Sequence, residues 1–376
     1  MKLLMISGDR SILQGKKGAF WYTLEEFHKH WDRIDVICPK AKNAESSAKN
    51  QEIFGKVFFH PNPKGLWFQQ CWIRKKGMEL VQKHTHDVMT VHDYPPFYNG
   101  AGAMFLGKKA GIPYALEVHH IVGHPHAASL FEWIGKWQSR FYFPFAAKRA
   151  SMMRVVSNET GDVLEQWGVP RNKITQLSSA YLDFAALIRD PSIEKRFDLA
   201  CCARFVPNKG LTEVLDAVAS LPNVTLLLIG DGPLRSNLEK QIRKLNIAER
   251  VTFTGWLSDR ESVYKALQSA RIFVMNSKSE GGPRVAVEAM ALGLPVIGTN
   301  VGVLRQMEKA NIVLFTSGTA KDLTEKIHTL LQDASRRESM VRDALNTVVI
   351  FDRSLMIRAY ADTLKELSSR TISNRV

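Results

Sequence analysis

Short, almost wholly apolar runs separated by amphipathic stretches recur along the entire 376-residue chain, and this alternation restricts the fold more than any single residue does. In the first half, β-rich runs at residues 2–6, 33–38, 56–60, 87–91 and 113–118 alternate with helix-like segments. A strand with one wet face alternates polar and apolar residues, whereas near-continuous apolar strands between helices imply a parallel sheet covered on both faces. The second half repeats the plan. Leu211, Val214, Leu215 and Val218 mark a helix face, residues 224–229 a buried strand, and Leu234, Leu238, Ile242 and Leu245 another helix. Ser258-Asp-Arg-Glu261 reads as a capping box for the helix after that. The pattern predicts an α/β chain of two Rossmann-like domains, residues 1–190 and 197–350, joined by a Pro-containing charged stretch at residues 190–196 and followed by a final segment, 351–376. Neither domain carries Gly-x-Gly-x-x-Gly after its first strand, which argues against a dinucleotide oxidoreductase.

Composition sets outer limits. A content of 45% hydrophobic and 23% charged residues is ordinary for globular domains. No run of about 18 apolar residues exists for a transmembrane helix, and polar residues follow Met1 too soon for a signal peptide, so a cytoplasmic chain is expected. Cys38, Cys71, Cys201 and Cys202 are badly spaced for disulfides or zinc and read as buried, reduced thiols. Without an Asp-x-Asp cluster or a spaced His/Cys set, no metal site and no cofactor are expected.

Chemistry concentrates at residues 279–290, Ser-Glu-Gly-Gly-Pro-Arg-Val-Ala-Val-Glu-Ala-Met, where a predicted strand at 271–276 becomes a helix. Gly281 and Gly282 let bare backbone approach a ligand, Pro283 suits a first helical position, and the free N–H groups beyond it point at an anion. A diphosphate fits there. Glu280 lies in the loop, placed to accept bonds from sugar hydroxyls, and Glu288 sits inside the helix within reach of a ribose. An ordinary helix pair between Glu288 and Arg284, worth about 0.2–0.5 kcal/mol, is the competing reading.

Together with three further segments, this stretch resembles the family 4 retaining glycosyltransferases of GT-B fold. Arg204-Phe-Val-Pro-Asn-Lys209-Gly210 is similar to the family's Arg-x4-Lys-Gly segment, whose cations grip the donor diphosphate. Gly230-Asp-Gly232-Pro is similar to its Gly-x-Gly-Pro turn, and Thr254-Gly-Trp256-Leu257 falls where the resemblance puts the nucleotide base. The resemblance implies two Rossmann-like domains whose parallel sheets face a central cleft, with the segment after residue 350 returning to the first domain. It implies a nucleoside-diphosphate sugar as donor substrate, held by Gly18, Gly230, Gly232, Trp256, Leu257, Glu280, Gly281, Gly282, Arg284, Val285 and Glu288. The implied activity is retaining, metal-independent hexosyl transfer to a glycan or lipid-linked acceptor, as in lipopolysaccharide synthesis. Independently of the family, charge grows on the departing diphosphate, and fixed cations such as Arg204 and Lys209 are the expected catalytic groups.

Strand ends of the first domain supply the other half. His119 follows Tyr114-Ala-Leu-Glu-Val118, where the family has a histidine touching the donor sugar, and His120 is the fallback one residue on. His92-Asp93-Tyr94 ends the preceding strand on the acceptor side. Where relatives have a Gly-Gly pair after the first strand, this chain has Gly18-Ala19, with Lys16 or Lys17 able to compensate by charge. Two other departures are Ser178-Ser-Ala-Tyr181 in place of an Asn-Gly, and Gly-Gly-Pro-Arg after Glu280 in place of an aromatic and a glycine. A second function class stands beside the first: a non-transferase GT-B protein, such as a sugar-nucleotide epimerase or a non-catalytic carbohydrate-binding relative.

The net charge is +14, and residues 1–150 hold 21 Lys and Arg against 12 Asp and Glu. The excess interleaves with aromatics at residues 65–76 and 130–145, a pattern suited to an anionic membrane surface or, alternatively, to filling the core. Membrane contact on the inner face, as a peripheral protein, and no nucleic-acid partner are expected, since no nucleic-acid-binding module is recognisable.

Overall fold

The computed structural model describes residues 1–40, 52–124, 127, 129–280, 282–310 and 312–373. The chain forms two compact units: Met1–Val122 with Leu130–Leu177 and Ser354–Val376, and Gly123–Ser129 with Ser178–Arg353. Residues 190–196 therefore lie inside the second unit, and the main crossing between units comes after Leu177.

The first unit is built on β1 (Lys2–Ile6), β2 (Arg33–Cys38), β3 (Glu52–Ile53), β4 (Val57–Pro61), β5 (Val88–His92), β6 (Tyr114–Val118), β7 (Met152–Val155) and β8 (Ile174–Gln176). Their order is β3-β4-β2-β1-β5-β6-β7-β8, parallel except for the short β3–β4 pair. Strands such as Leu3–Ile6 are buried on both faces because helices cover the sheet on each side, which accounts for their unbroken apolar sequence. The helix Arg353–Ser373 packs on this unit: Tyr360 stacks on Phe27 at 5.4 Å and Ser368 donates to the Asp87 carbonyl at 3.1 Å.

The second unit contains β9 (Phe197–Cys202), β10 (Leu226–Ile229), β11 (Val251–Gly255), β12 (Ala270–Met275), β13 (Val296–Thr299) and β14 (Val313–Thr316). They form an all-parallel sheet ordered β11-β10-β9-β12-β13-β14. Leu211, Val214, Leu215, Val218, Leu238 and Ile242 fill its core as their spacing predicts. The helix Arg260–Gln268 is capped one residue later than expected: Asp259, not Ser258, accepts from the Ser262 N–H at 2.7 Å. An ionised carboxylate makes the stronger cap for these orphan amides. Cys38 and Cys201 are buried, but Cys71 is exposed on a helix, contrary to the expectation of four buried thiols.

Candidate active site

In the second sheet the strand order reverses at β9, which lies between β10 and β12, so the loops leaving β9 and β12 flank the crevice where open α/β sheets bind ligands. The loop after β9 carries Arg204 and Lys209. It is laced to the glycine turn after β10: Phe205 N–H donates to the Asp231 carbonyl at 2.9 Å and Leu234 N–H to the Phe205 carbonyl at 3.0 Å. Gly230 has φ of 122°, and a Cβ there would stand 2.1 Å from the Ala203 carbonyl oxygen, so only glycine admits this approach. Arg204 is exposed beside it, and its guanidinium has no partner among the described residues.

The loop after β12 is tied to the loop after β9. Asn276 donates to the Gly210 carbonyl at 3.0 Å, and Lys278 N–H donates to the Asn208 carbonyl at 2.7 Å. This places the Lys209 ammonium on the Glu280 carboxylate, which also accepts from the Ser277 hydroxyl at 2.8 Å. Gly281 lies outside the described residues. Gly282 sits against Ser179 and Ala180, and Pro283 is the residue before the helix Arg284–Ala291, not its first. Val285 is half-buried in its first turn. Arg284 donates to the Ser179 carbonyl at 3.3 Å and stacks over Tyr181 at 4.3 Å, so the 178–181 segment supports the glycine turn. Glu288 does not form the helix pair with Arg284 that was the competing reading: the Tyr264 hydroxyl donates to it at 3.1 Å. Burial raises the Glu288 pKa, with Arg284, Tyr264 and Arg260 opposing. Trp256, beyond β11, is 73% exposed and Leu257 half-buried.

The first sheet reverses order at β1, between β2 and β5. Gly8, just beyond β1, lies so close to Tyr94 that a Cβ would stand 2.5 Å from its hydroxyl oxygen. Asp93, at the end of β5, accepts from the Tyr142 hydroxyl at 2.6 Å. His119, beyond β6, is bonded to Glu117 at 2.9 Å and stacks on His92 at 4.3 Å, and burial holds His92 down to about 3, neutral at physiological pH. Glu117 also accepts from Arg154 at 2.6 Å and Tyr360 at 2.7 Å. His120 and Lys16 are exposed, and Gly18 caps the helix Ala19–Phe27 in extended conformation.

Burial pushes Asp93 up to about 6, against hydrogen bonds from Tyr142, Gly100 and Tyr94. A carboxyl raised in the folded state contributes stability below its ordinary pKa that is lost as pH rises through about 6. Asp93→Asn, which carries no charge, should therefore gain on the parent by about 1–2 kcal/mol between pH 5 and pH 8. Urea unfolding of both proteins at the two pH values measures this difference; a gap that does not change with pH would contradict the burial of a charge at Asp93.

Sequence reasoning did not find Ser277, Tyr264, Tyr142, Arg154 or Tyr360, which orient the groups it did find. Of these, only Ser277, three residues before Glu280, offered a local signal.

Comparison with known proteins agrees with this architecture. The model of glycosyl transferases group 1 matches residues 184–347, and that of glycosyltransferase family 4 matches residues 20–179. The lipopolysaccharide core biosynthesis glycosyltransferase LpsE of Rhizobium meliloti is 31% identical over 217 residues, 56% of this chain and 57% of its own length. A sulfoquinovosyl transferase of Arabidopsis thaliana is 26% identical over 280 residues, 70% of this chain and 53% of its own. The matched stretches thus span little more than half of either relative. Among solved structures, Anabaena HepE in complex with UDP and glucose superposes with a TM-score of 0.77 at 21% identity, covering 97% of this chain and 100% of HepE. Sucrose-phosphate synthase from Thermosynechococcus elongatus reaches a TM-score of 0.81 at 17% identity, covering 98% of this chain and 99% of that one. With both halves matched and two parallel-sheet Rossmann-like units present, the chain belongs to the glycosyl transferases group 1, the family 4 glycosyltransferases of GT-B fold.

Proposed function

We propose that this chain transfers a hexose, with retention and without a metal, from a nucleoside-diphosphate sugar to a hydroxyl of a glycan or lipid-linked acceptor in lipopolysaccharide or related glycan synthesis. The observation that carries the reading is the meeting of Lys209 and Glu280, 71 residues apart, at the point where the second sheet reverses its strand order. On this reading Arg204, Lys209 and the first amides of the helix Arg284–Ala291 receive the diphosphate, Glu280 accepts from hexose hydroxyls and Glu288 from the ribose. The C1–O bond to the diphosphate breaks as the acceptor oxygen bonds to C1, and the acceptor proton passes to the departing phosphate. His119, held by Glu117, and Asp93 and Tyr94 serve the sugar and acceptor. UDP as the nucleotide is suggested by the HepE complex with UDP and glucose.

The test is incubation of the protein with a panel of UDP- and GDP-sugars in EDTA. Slow release of nucleoside diphosphate from one of them is expected, at a rate that added Mg²⁺ or Mn²⁺ leaves nearly unchanged. Conversion to an epimeric sugar nucleotide with no diphosphate released would favour the epimerase instead. Full dependence on a metal would overturn the proposed role of the cations.

The acceptor side is further proposed to rest on an anionic membrane, the site expected of a peripheral protein on the inner face. Along the helix Leu130–Ala147, Phe131, Trp133, Trp137, Phe141 and Phe145 are exposed together with Arg140, and Trp67 is 83% exposed. Several of these aromatics were candidates for the core; of the helix's rings only Phe143 is fully buried. Apolar exposure on this scale beside basic residues marks an interaction surface. The basic run at residues 74–76 contributes less than its sequence suggests, because Arg74 stacks on Phe105 at 3.9 Å and Lys76 pairs with Glu79 at 2.6 Å. Flotation with anionic vesicles should recover the protein, less so with rising salt, and Trp133→Ser with Trp137→Ser should lower recovery several-fold. Protein that stays at the bottom at low salt would point to a soluble acceptor.

A further inference from the structure

A second basic site lies within the Ser178–Arg353 unit, at the ends of β12 and β13 opposite to the donor loops. Arg189, Lys195, Arg271, Arg337 and Arg342 line a cavity of about 580 Å³ whose only acidic lining residue is Glu338. Arg271 is the second residue of β12, Pro295 directly precedes β13, and Arg337 and Arg342 project from the helix Ala334–Val348. None of the donor-loop residues lines it.

The cations differ in how they are held. Lys195 donates to the carbonyls of Gln268 at 2.7 Å and Ala270 at 3.0 Å, and Arg337 to those of Leu330 at 2.6 Å and Leu331 at 2.7 Å. Three of those carbonyls lie in the last turns of the helices Arg260–Gln268 and Ala320–Gln332, whose dipoles offset only part of the charge, and neither side chain pairs with a carboxylate among the described residues. Arg271 has a distant carboxylate, Asp198, at 3.8 Å. Arg189 lies across Gly293: a Cβ at that glycine would stand 2.8 Å from the Arg189 Nε, and Gly293 has φ of +80°. The absence of a side chain at residue 293 is what lets the guanidinium lie there. Burial, and to a smaller extent the nearby Arg189 and Arg271 charges, lowers the Lys195 pKa.

Like charges gathered in one concave surface are unfavourable unless an anion relieves them. We infer that this cavity binds a small phosphorylated ligand bearing at least two negative charges, of the sugar-phosphate or pyrophosphate class, independently of the donor site. Its volume falls within the range of about 300–1,000 Å³ usual for small-molecule sites and exceeds what one inorganic phosphate fills. Arginine forks at Arg189 and Arg342 supply bidentate donors, while Lys195 and Arg337 contribute fixed charge.

Because the donor loops also attract diphosphates, the experiment uses the Arg204→Ala/Lys209→Ala protein as its background. Pyrophosphate, a hexose phosphate and inorganic phosphate are titrated into it by calorimetry at low salt. Saturable binding of pyrophosphate or the hexose phosphate is expected, with inorganic phosphate at least about tenfold weaker, and Arg189→Gln with Arg342→Gln added should weaken the preferred ligand by at least about tenfold. Both substitutions are on exposed side chains, and an unchanged unfolding midpoint verifies that the added variant is folded. Loss of all binding in the Arg204→Ala/Lys209→Ala background, or binding that ignores Arg189 and Arg342, would overturn the assignment. Equal affinity for inorganic phosphate and the larger probes would also overturn it, by reducing the cavity to a nonspecific patch of charge.

Discussion

Arg204→Ala and Lys209→Ala are each expected to lower turnover at saturating donor by on the order of 10²–10³-fold, because each removes a fixed positive group from the departing diphosphate. Comparing magnitudes separates this from a folding defect. Losing such a donor costs about 2.7–4 kcal/mol of transition-state stabilisation. The Lys209–Glu280 pair, with side chains 21% and 19% exposed, is worth no more than about 1 kcal/mol to the fold, by analogy with partly solvated ion pairs. Arg204, exposed and with no described partner for its guanidinium, contributes still less. The measurement is initial rate against donor concentration together with the unfolding midpoint. A variant that folds normally and keeps full turnover at saturation would remove that residue from the diphosphate site. One whose KM alone rises would reassign it to binding that is equal in the ground and transition states.

The sequence was most informative where one physical requirement acts locally. Strands at residues 2–6 and 33–38 coincide with β1 and β2 because burial on both faces demands unbroken apolar runs. The run at residues 56–60 forms Val57–Pro61 instead, since ladder pairing with β2, not composition, decides where a strand ends. The two-residue β3 and the strand β7 were not anticipated: β3 is too short to show a period. Within the site, Gly230 was legible because close backbone approach excludes a side chain there. The partner of Glu288 was not. Arg284, four residues earlier, offers the obvious helix pair, yet its guanidinium lies over Tyr181, and the hydroxyl that reaches Glu288 comes from another helix. The aromatics of residues 130–145 were equally ambiguous, because a ring that fills a core and one that meets a membrane look alike in sequence. Least legible was the support of His119, since Tyr360 lies 243 residues from Glu117 and no spacing rule connects them.

That support should give the largest stability effect in the protein. Glu117 and Arg154 are both buried, with side chains 6% and 7% exposed and an N–O distance of 2.6 Å. Burial works against the Glu117 charge, but Arg154, His119 and Tyr360 outweigh it and hold the carboxyl well below the usual range. Glu117→Gln keeps the shape and removes the charge, leaving the Arg154 guanidinium, which cannot deprotonate, buried without its carboxylate. The expected cost is about 3–5 kcal/mol, a large part of the stability of an ordinary domain. Tyr360→Phe deletes one hydrogen bond to the same carboxylate and should cost only about 1.5–3 kcal/mol. The pH dependence follows from the sign of the shift. A carboxyl lowered in the folded state contributes stability that is present above its ordinary pKa, near 4.5, and is lost as pH falls toward the folded value. The penalty of Glu117→Gln should accordingly stay level from pH 8 to about 5.5 and shrink below about 4.5. Denaturant unfolding across that range measures it, and a penalty below about 1 kcal/mol at pH 7 would mean that Arg154 finds another acceptor when the carboxylate is gone.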